Sequence, residues 1–191
     1  MAVAQSAITF DVQDCKVYPM NADPVGSAGY TIGTGIDVPG VQEVSVEPNL
    51  ITAELKGDGK VIAKKGKIDR LNFSCTYSEL ALTVLETILG GGTVEAGTGD
   101  AESSALTIGG GSLPYFKVAF LLTDLQTQDA GDAVASIKME LFKCQITGGT
   151  LLSGSTDDFA TPSFTAEGII PNDTSSLGFG KITFDETAAT L

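Results

Sequence analysis

Asp157 and Asp158, with Glu167 downstream, are the side chains whose type and spacing bear most directly on chemistry. Adjacent carboxylates can hold a hard cation or divide general acid and base work between them. The chain has 24 carboxylates, however, and no EF-hand pattern surrounds this pair, so it reads as chance adjacency rather than as a site. Gly57-Asp58-Gly59-Lys60 and Gly178-Phe179-Gly180-Lys181 resemble phosphate loops only superficially. Neither has the G-x-x-x-x-G-K-[ST] spacing, and neither opens a helix whose N-terminal N–H groups could cradle a phosphate.

The remaining inventory is poor in reactive groups. The chain has no His, so Ser-His-Asp triads, Cys-His pairs and the usual zinc sites lack their imidazole. Cys15, Cys75 and Cys144 are scattered without a C-x-x-C motif. Their odd number does not complete a disulfide framework, and they read as buried free thiols of a reducing compartment. No catalytic residue, metal site or cofactor site is expected.

The elements that must position these side chains are strands. Period-two alternation, the mark of a half-buried strand, runs through Ile8–Val12, Val44–Val46, Leu71–Tyr77, Phe116–Leu122, Ile137–Ile146, Phe164–Ala166 and Ile182–Phe184. That predicts seven or eight strands. Within Ile137–Ile146 the apolar phase shifts from Ile137, Met139 and Leu141 to Phe142, Cys144 and Ile146. Such a shift predicts a bulge. One segment has helical spacing instead, with Ala81, Val84, Leu85, Ile88 and Leu89 on one face. Thr76 and Glu79 have capping-box spacing before it, and Gly90-Gly91 supplies a stop. Gly26–Gly40, Gly90–Ser112, Ser153–Thr161 and Asn172–Gly180 read as loops, and Gly148-Gly149 as a turn.

At 191 residues, the chain is expected to form a single domain spanning 1–191, with enough apolar material, 42%, to bury a core. Charged residues make up only 18%. The fold class read from these patterns is mainly β, with one short α-helix packed on a sheet and long loops. Met1-Ala2-Val3-Ala4-Gln5-Ser6 has no basic and apolar pattern of a secretory signal, and no apolar run approaches a membrane span. Asn72-Phe73-Ser74 and Asn172-Asp173-Thr174 are then chance matches to the glycosylation pattern.

Charge is distributed unevenly. The net charge is −13, which repels nucleic acid rather than gripping it. Six of the 11 basic residues, Lys56, Lys60, Lys64, Lys65, Lys67 and Arg70, fall in one stretch. The glycines around them predict a hairpin or a long loop between strands. A basic projection on an acidic body can dock head to tail on another copy, a geometry that builds rings or filaments. Lysines also keep a solvated strand edge from aggregating.

Ile137–Gln145, the turn after it, the polar loop to Asp157-Asp158-Phe159-Ala160 and Thr161-Pro162-Ser163-Phe164-Thr165-Ala166-Glu167-Gly168 form a pattern. It resembles the closing strands of phage tail tube proteins, the major tail proteins of long-tailed phages. Ile51–Asp58, the loop after it, Leu71–Tyr77 and the helix near Glu79–Leu89 fit the same family. The resemblance covers roughly Val41 to Pro171 and consists of strand and turn patterns.

The resemblance implies a two-sheet sandwich whose subunits form hexameric rings. These stack into a hollow tube around a lumen through which DNA passes. It implies that Lys56, Asp58, Lys60, Lys64, Lys65 and Lys67 belong to a loop that reaches a neighbouring subunit or ring. The implied partners are further copies, other tail proteins such as the tape measure and terminator, and DNA in transient passage. No membrane is implied. The implied location is the virion tail, after assembly in the host cytoplasm. The alternative is a β-sandwich binding module, namely a virion decoration protein, an adhesin or a carbohydrate-binding domain. Such a module needs exposed aromatics, and this chain has only 7% aromatic residues, with no Trp.

Overall fold

The structure, a computed structural model, describes residues 9–26, 29–58, 60–96, 103–124, 136–152, 161–172, 177–185 and 190–191. Eleven strands and one helix lie among them: β1 (Thr9–Ala22), β2 (Thr31–Ile32), β3 (Ile36–Asp37), β4 (Val41–Gly57), β5 (Lys60–Tyr77), α1 (Leu82–Leu89), β6 (Gly92–Ala96), β7 (Ser103–Thr107), β8 (Phe116–Asp124), β9 (Ser136–Thr150), β10 (Ser163–Gly168) and β11 (Gly180–Asp185). The mainly β class with one short helix holds. Seven strands answer the alternating segments. The other four, β2, β3, β6 and β7, lie in stretches read as loops, because two- and five-residue pairings leave too little alternation to see.

Nine strands join one antiparallel sheet in the order β2-β1-β8-β9-β10-β5-β4, with β3 also on β1 and β11 also on β9; β6 and β7 form a separate ribbon. The long sheet curls over its own apolar face. In hydrogen-bonding order, β5 and β8 are separated by β10 and β9, yet the Phe73 and Phe120 rings are 6.0 Å apart across the core. Phe164 on β10 sits between the layers, 5.6 Å from Phe73, 6.2 Å from Tyr77 and 6.3 Å from Phe116. Tilted and edge-on ring pairs of this kind add about 0.5–1.5 kcal/mol each beyond their area burial.

Helix α1 closes one end of the curled sheet. Val84, Leu85 and Ile88, three of the residues on its expected apolar face, are buried in the same core. Gly90 ends the helix with φ +73°, and its N–H donates to the Glu86 carbonyl. The capping box does not form. Thr76 belongs to β5, paired with both Glu43 and Ser163, and Ala81 starts the helix with no side-chain cap. Ladder hydrogen bonds on both flanks hold Thr76 in the sheet, where its hydroxyl cannot reach the first turn.

The predicted bulge in β9 is present, with one correction. Phe116 pairs with Cys144 and Val118 with Leu141, so β9 spends an extra residue between these pairs. Leu141, Cys144 and Ile146 point into the core, but Phe142 does not join them. Its ring meets Tyr30 edge-on at 6.5 Å, and its carbonyl accepts a hydrogen bond from the Tyr30 hydroxyl. Gly148-Gly149 is not a turn: β9 continues through it, opposite Thr165 and Phe164.

Candidate assembly surface

β4 and β5 pair from Val41–Tyr77 out to Gly57–Lys60, whereas β10 joins β5 only from Leu71 to Thr76. Near the body, Val46 and Phe73 face the core. Beyond Pro48–Leu71 the register shifts between Asn49 and Leu50, and from Leu50 to Ile68 every described side chain is exposed. An extra residue at a bulge increases local twist and bends the strand. Here it marks where the hairpin leaves the body and becomes a free arm. A second register shift lies near the tip, between Leu55 and Lys56.

All six residues expected to make an inter-subunit loop lie on this arm. The Lys56–Lys67 segment is thus a hairpin and not a long loop. Lys56 pairs with Val61 and Lys60 with Gly57, while Asp58 turns the chain at φ +49°. Lys64 lies opposite Glu54, with their charged atoms 3.3 Å apart. Lys65 faces Ala53, and Lys67 faces Ile51, on the other side of the arm. An exposed pair such as Lys64–Glu54 is worth at most about 1 kcal/mol.

The apolar residues of the arm were not anticipated. Leu50, Ile51, Leu55, Val61, Ile62 and Ile68 are 45–66% exposed. A two-stranded ribbon has no core of its own, so these side chains are left in water unless something covers them. Their signal in the sequence is weak, because they fall on both faces of the ribbon without a clean alternation.

The outer face of the β4-β5-β10-β9 portion has a different character. Ser45, Ser74 and Thr165 form one row across three strands, and Glu47, Asn72, Glu167 and Gln145 form the next across four. The Ser45 and Ser74 hydroxyls are 2.8 Å apart, and those of Thr147 and Thr165 are 3.3 Å apart. The Arg70 guanidinium donates to the Glu167 carboxylate at 2.8 Å and also to Asp69. Glu167 is therefore held by Arg70. Asp157 and Asp158, its suggested companions, lie outside the described residues. The surface is polar, mostly uncharged, with carboxylates and a single guanidinium.

Cys15, Cys75 and Cys144 are free and fully buried. The hydrogen bond that the Cys15 thiol makes to Cys75, with burial, pushes that thiol up, and burial pushes the Cys144 thiol up to about 12, partly offset by a backbone hydrogen bond from Val118. Thiols held protonated in an apolar core are not nucleophiles. Among the described residues no cluster of three or more His, Cys, Asp or Glu could hold a metal ion. No helix among them is long and apolar enough to cross a membrane. No protein-family model matches the chain, and no curated protein matches it.

Proposed function

We propose that this chain is a structural subunit of a phage tail tube, polymerising as stacked hexameric rings around a lumen through which DNA passes. The observation that carries the reading is the β4–β5 arm, on which apolar residues and lysines stand exposed beyond the body. An arm of this composition serves contact with another molecule, and the acidic remainder of the chain makes a second copy the natural one. The strand and helix order that resembles tail tube proteins supports the same reading.

The polar face of β4-β5-β10-β9 supplies the lumen wall in this proposal. Its Ser and Thr hydroxyls are partly engaged with one another, Glu47 presents negative charge, and Glu167 is paired with the Arg70 guanidinium. Such a wall offers phosphates a carboxylate and a guanidinium that is already held by Glu167 and Asp69, and DNA slides. In the assembled tube, edge strands of adjacent subunits join and the exposed edges disappear. The subunit belongs to the virion tail, assembles in the host cytoplasm and meets the tape measure and terminator proteins at the tube ends.

Electron microscopy of the purified protein across a salt and concentration series tests the proposal. Rings or hollow tubes of uniform diameter are the expected result. Monomers across the whole series overturn it and favour a binding module, which a glycan-binding screen then addresses.

A further inference from the structure

The curled sheet is closed by α1 at one end and splayed open where the arm departs. There the inner faces of β4 and β5 separate from those of β8, β9 and β11, leaving an apolar groove of about 780 Å³. Val46 and Pro48 form one wall, Phe120 and Met139 the floor, and Ile182 and Phe184 the other wall. Ile182 is 60% exposed although it shares the face that elsewhere forms the core. Among the described residues β11 pairs with β9 alone, which leaves its other edge beside the groove. Among the described residues the groove is a section of core without a covering layer.

We infer that this groove is the acceptor for the arm of a second copy. One face of the arm has the matching pattern. Ile51, Ala53 and Leu55 form an apolar row on β4, and directly across the ladder Lys67 and Lys65 stand beside the first two. Laid along the open β11 edge, the apolar row fills the groove and the two lysines reach its rim. Glu43 and Glu47 alternate with the groove-lining Val44 and Val46, and Asp185 with Ile182 and Phe184, so these carboxylates face away from the groove. The charge match is one of whole segments: the stretch from Asn49 to Ile68 has five lysines against Glu54 and Asp58, in a chain of net charge −13. Ile68 at the base of the arm lines the groove of its own subunit, but the row that ends at Leu55 cannot fill it. Leu55 lies seven residues beyond Pro48 on a continuous strand, about 23 Å at the usual strand rise.

This inference rests on the assembly reading in that it names a second copy as the occupant, but it is tested separately. Leu55→Cys and Ile182→Cys variants are prepared singly, mixed and oxidised. Both positions are exposed, and the three native thiols are buried and unreactive. The mixture is expected to give a disulfide-linked dimer at least tenfold above either variant alone, with a yield that falls several-fold at high salt. An Ile182→Asp change in an otherwise native chain, with its fold checked by circular dichroism, is expected to abolish assembly. Tubes without the mixed cross-link, or tubes formed normally by Ile182→Asp, overturn the groove as acceptor and leave the tube reading standing. The mixed cross-link without rings or tubes supports the groove and removes the tube. Neither tubes nor cross-link overturns both.

Discussion

The Lys143 ammonium lies 2.5 Å from the Asp23 carboxylate, and the two side chains are only 6% and 7% exposed. They are 120 residues apart in sequence. The same carboxylate accepts the Asn172 backbone N–H at 2.8 Å, and the Lys143 ammonium sits 4.4 Å from the centre of the Tyr115 ring. One ion pair therefore ties the end of β1 to the bulge of β9 and to the segment after β10.

Removing one partner of a buried pair leaves the other charge desolvated and uncompensated. Asp23→Ala is expected to destabilise the fold by about 3–5 kcal/mol, read as a lower denaturation midpoint in urea. Replacing both partners with apolar residues, Asp23→Leu with Lys143→Met, is expected to recover most of that loss. An unchanged midpoint for Asp23→Ala means that water already reaches the pair.

Glu140 predicts a pH dependence. Burial alone would raise its carboxyl, but the hydrogen bond and charge of Lys117, 2.6 Å away, with Lys138 and Lys181, together hold it below the ordinary carboxylate range. A carboxyl depressed in the folded state stabilises the fold above its unfolded pKa, and that contribution fades as pH falls through the lower folded value. Glu140→Gln is expected to cost about 1.5–3 kcal/mol at neutral pH. The difference from wild type should shrink on acidification below about pH 4. Denaturation midpoints measured at a series of pH values test this, and a pH-independent difference rules it out.

Gly149 carries a constraint that its neighbour does not. It sits at φ +141° in β9, and a Cβ there would lie 2.2 Å from the Ser163 carbonyl oxygen and 2.6 Å from the Phe164 Cα. Both are backbone atoms of β10, so no side chain can move aside. Gly149→Ala is expected to cost at least about 2–3 kcal/mol by combining an unfavourable backbone with a clash. At Gly148 an added Cβ meets only the Thr165 hydroxyl at 3.4 Å, so Gly148→Ala should cost far less. Thermal melts of the two variants side by side decide it.

Much of this fold was legible because Leu71, Phe73, Cys75 and Tyr77 alternate over a full strand, and a half-buried strand admits no other pattern. The helix face through Val84, Leu85 and Ile88 was legible for the same reason at a different period. Other features depend on distance in sequence. Thr76 and Glu79 have the spacing of a cap, but pairing of Thr76 with residues on two remote strands decides its conformation. Lys143 looks like an ordinary outward lysine until the bulge turns it toward Asp23. The lysines of the arm announced themselves by composition, whereas Leu50, Ile51, Leu55, Val61 and Ile62 gave no period that distinguishes an exposed ribbon from a loop. The groove cannot be read from sequence at all, because Ile182 carries an ordinary core pattern and only the splaying of β4 from β11 leaves it uncovered.

The arm lysines set the last prediction. Lys56, Lys60, Lys64 and Lys65 are all exposed and lie toward the tip, beyond the bulge at Asn49–Leu50. None of them contributes to the buried core, so their reversal to glutamate should leave the melting temperature of the subunit close to that of wild type. Contact between a basic arm and an acidic neighbour is a sum of exposed charge pairs, each weak alone and screened over roughly 10 Å at 0.1 M salt. The quadruple Lys→Glu variant should therefore fold normally and fail to stack, while wild-type tubes should shorten or dissociate as salt is raised. Sedimentation velocity and electron microscopy on matched samples separate the two effects. Normal tubes from the quadruple variant would show that the apolar residues of the arm, and not its charges, hold neighbouring subunits together.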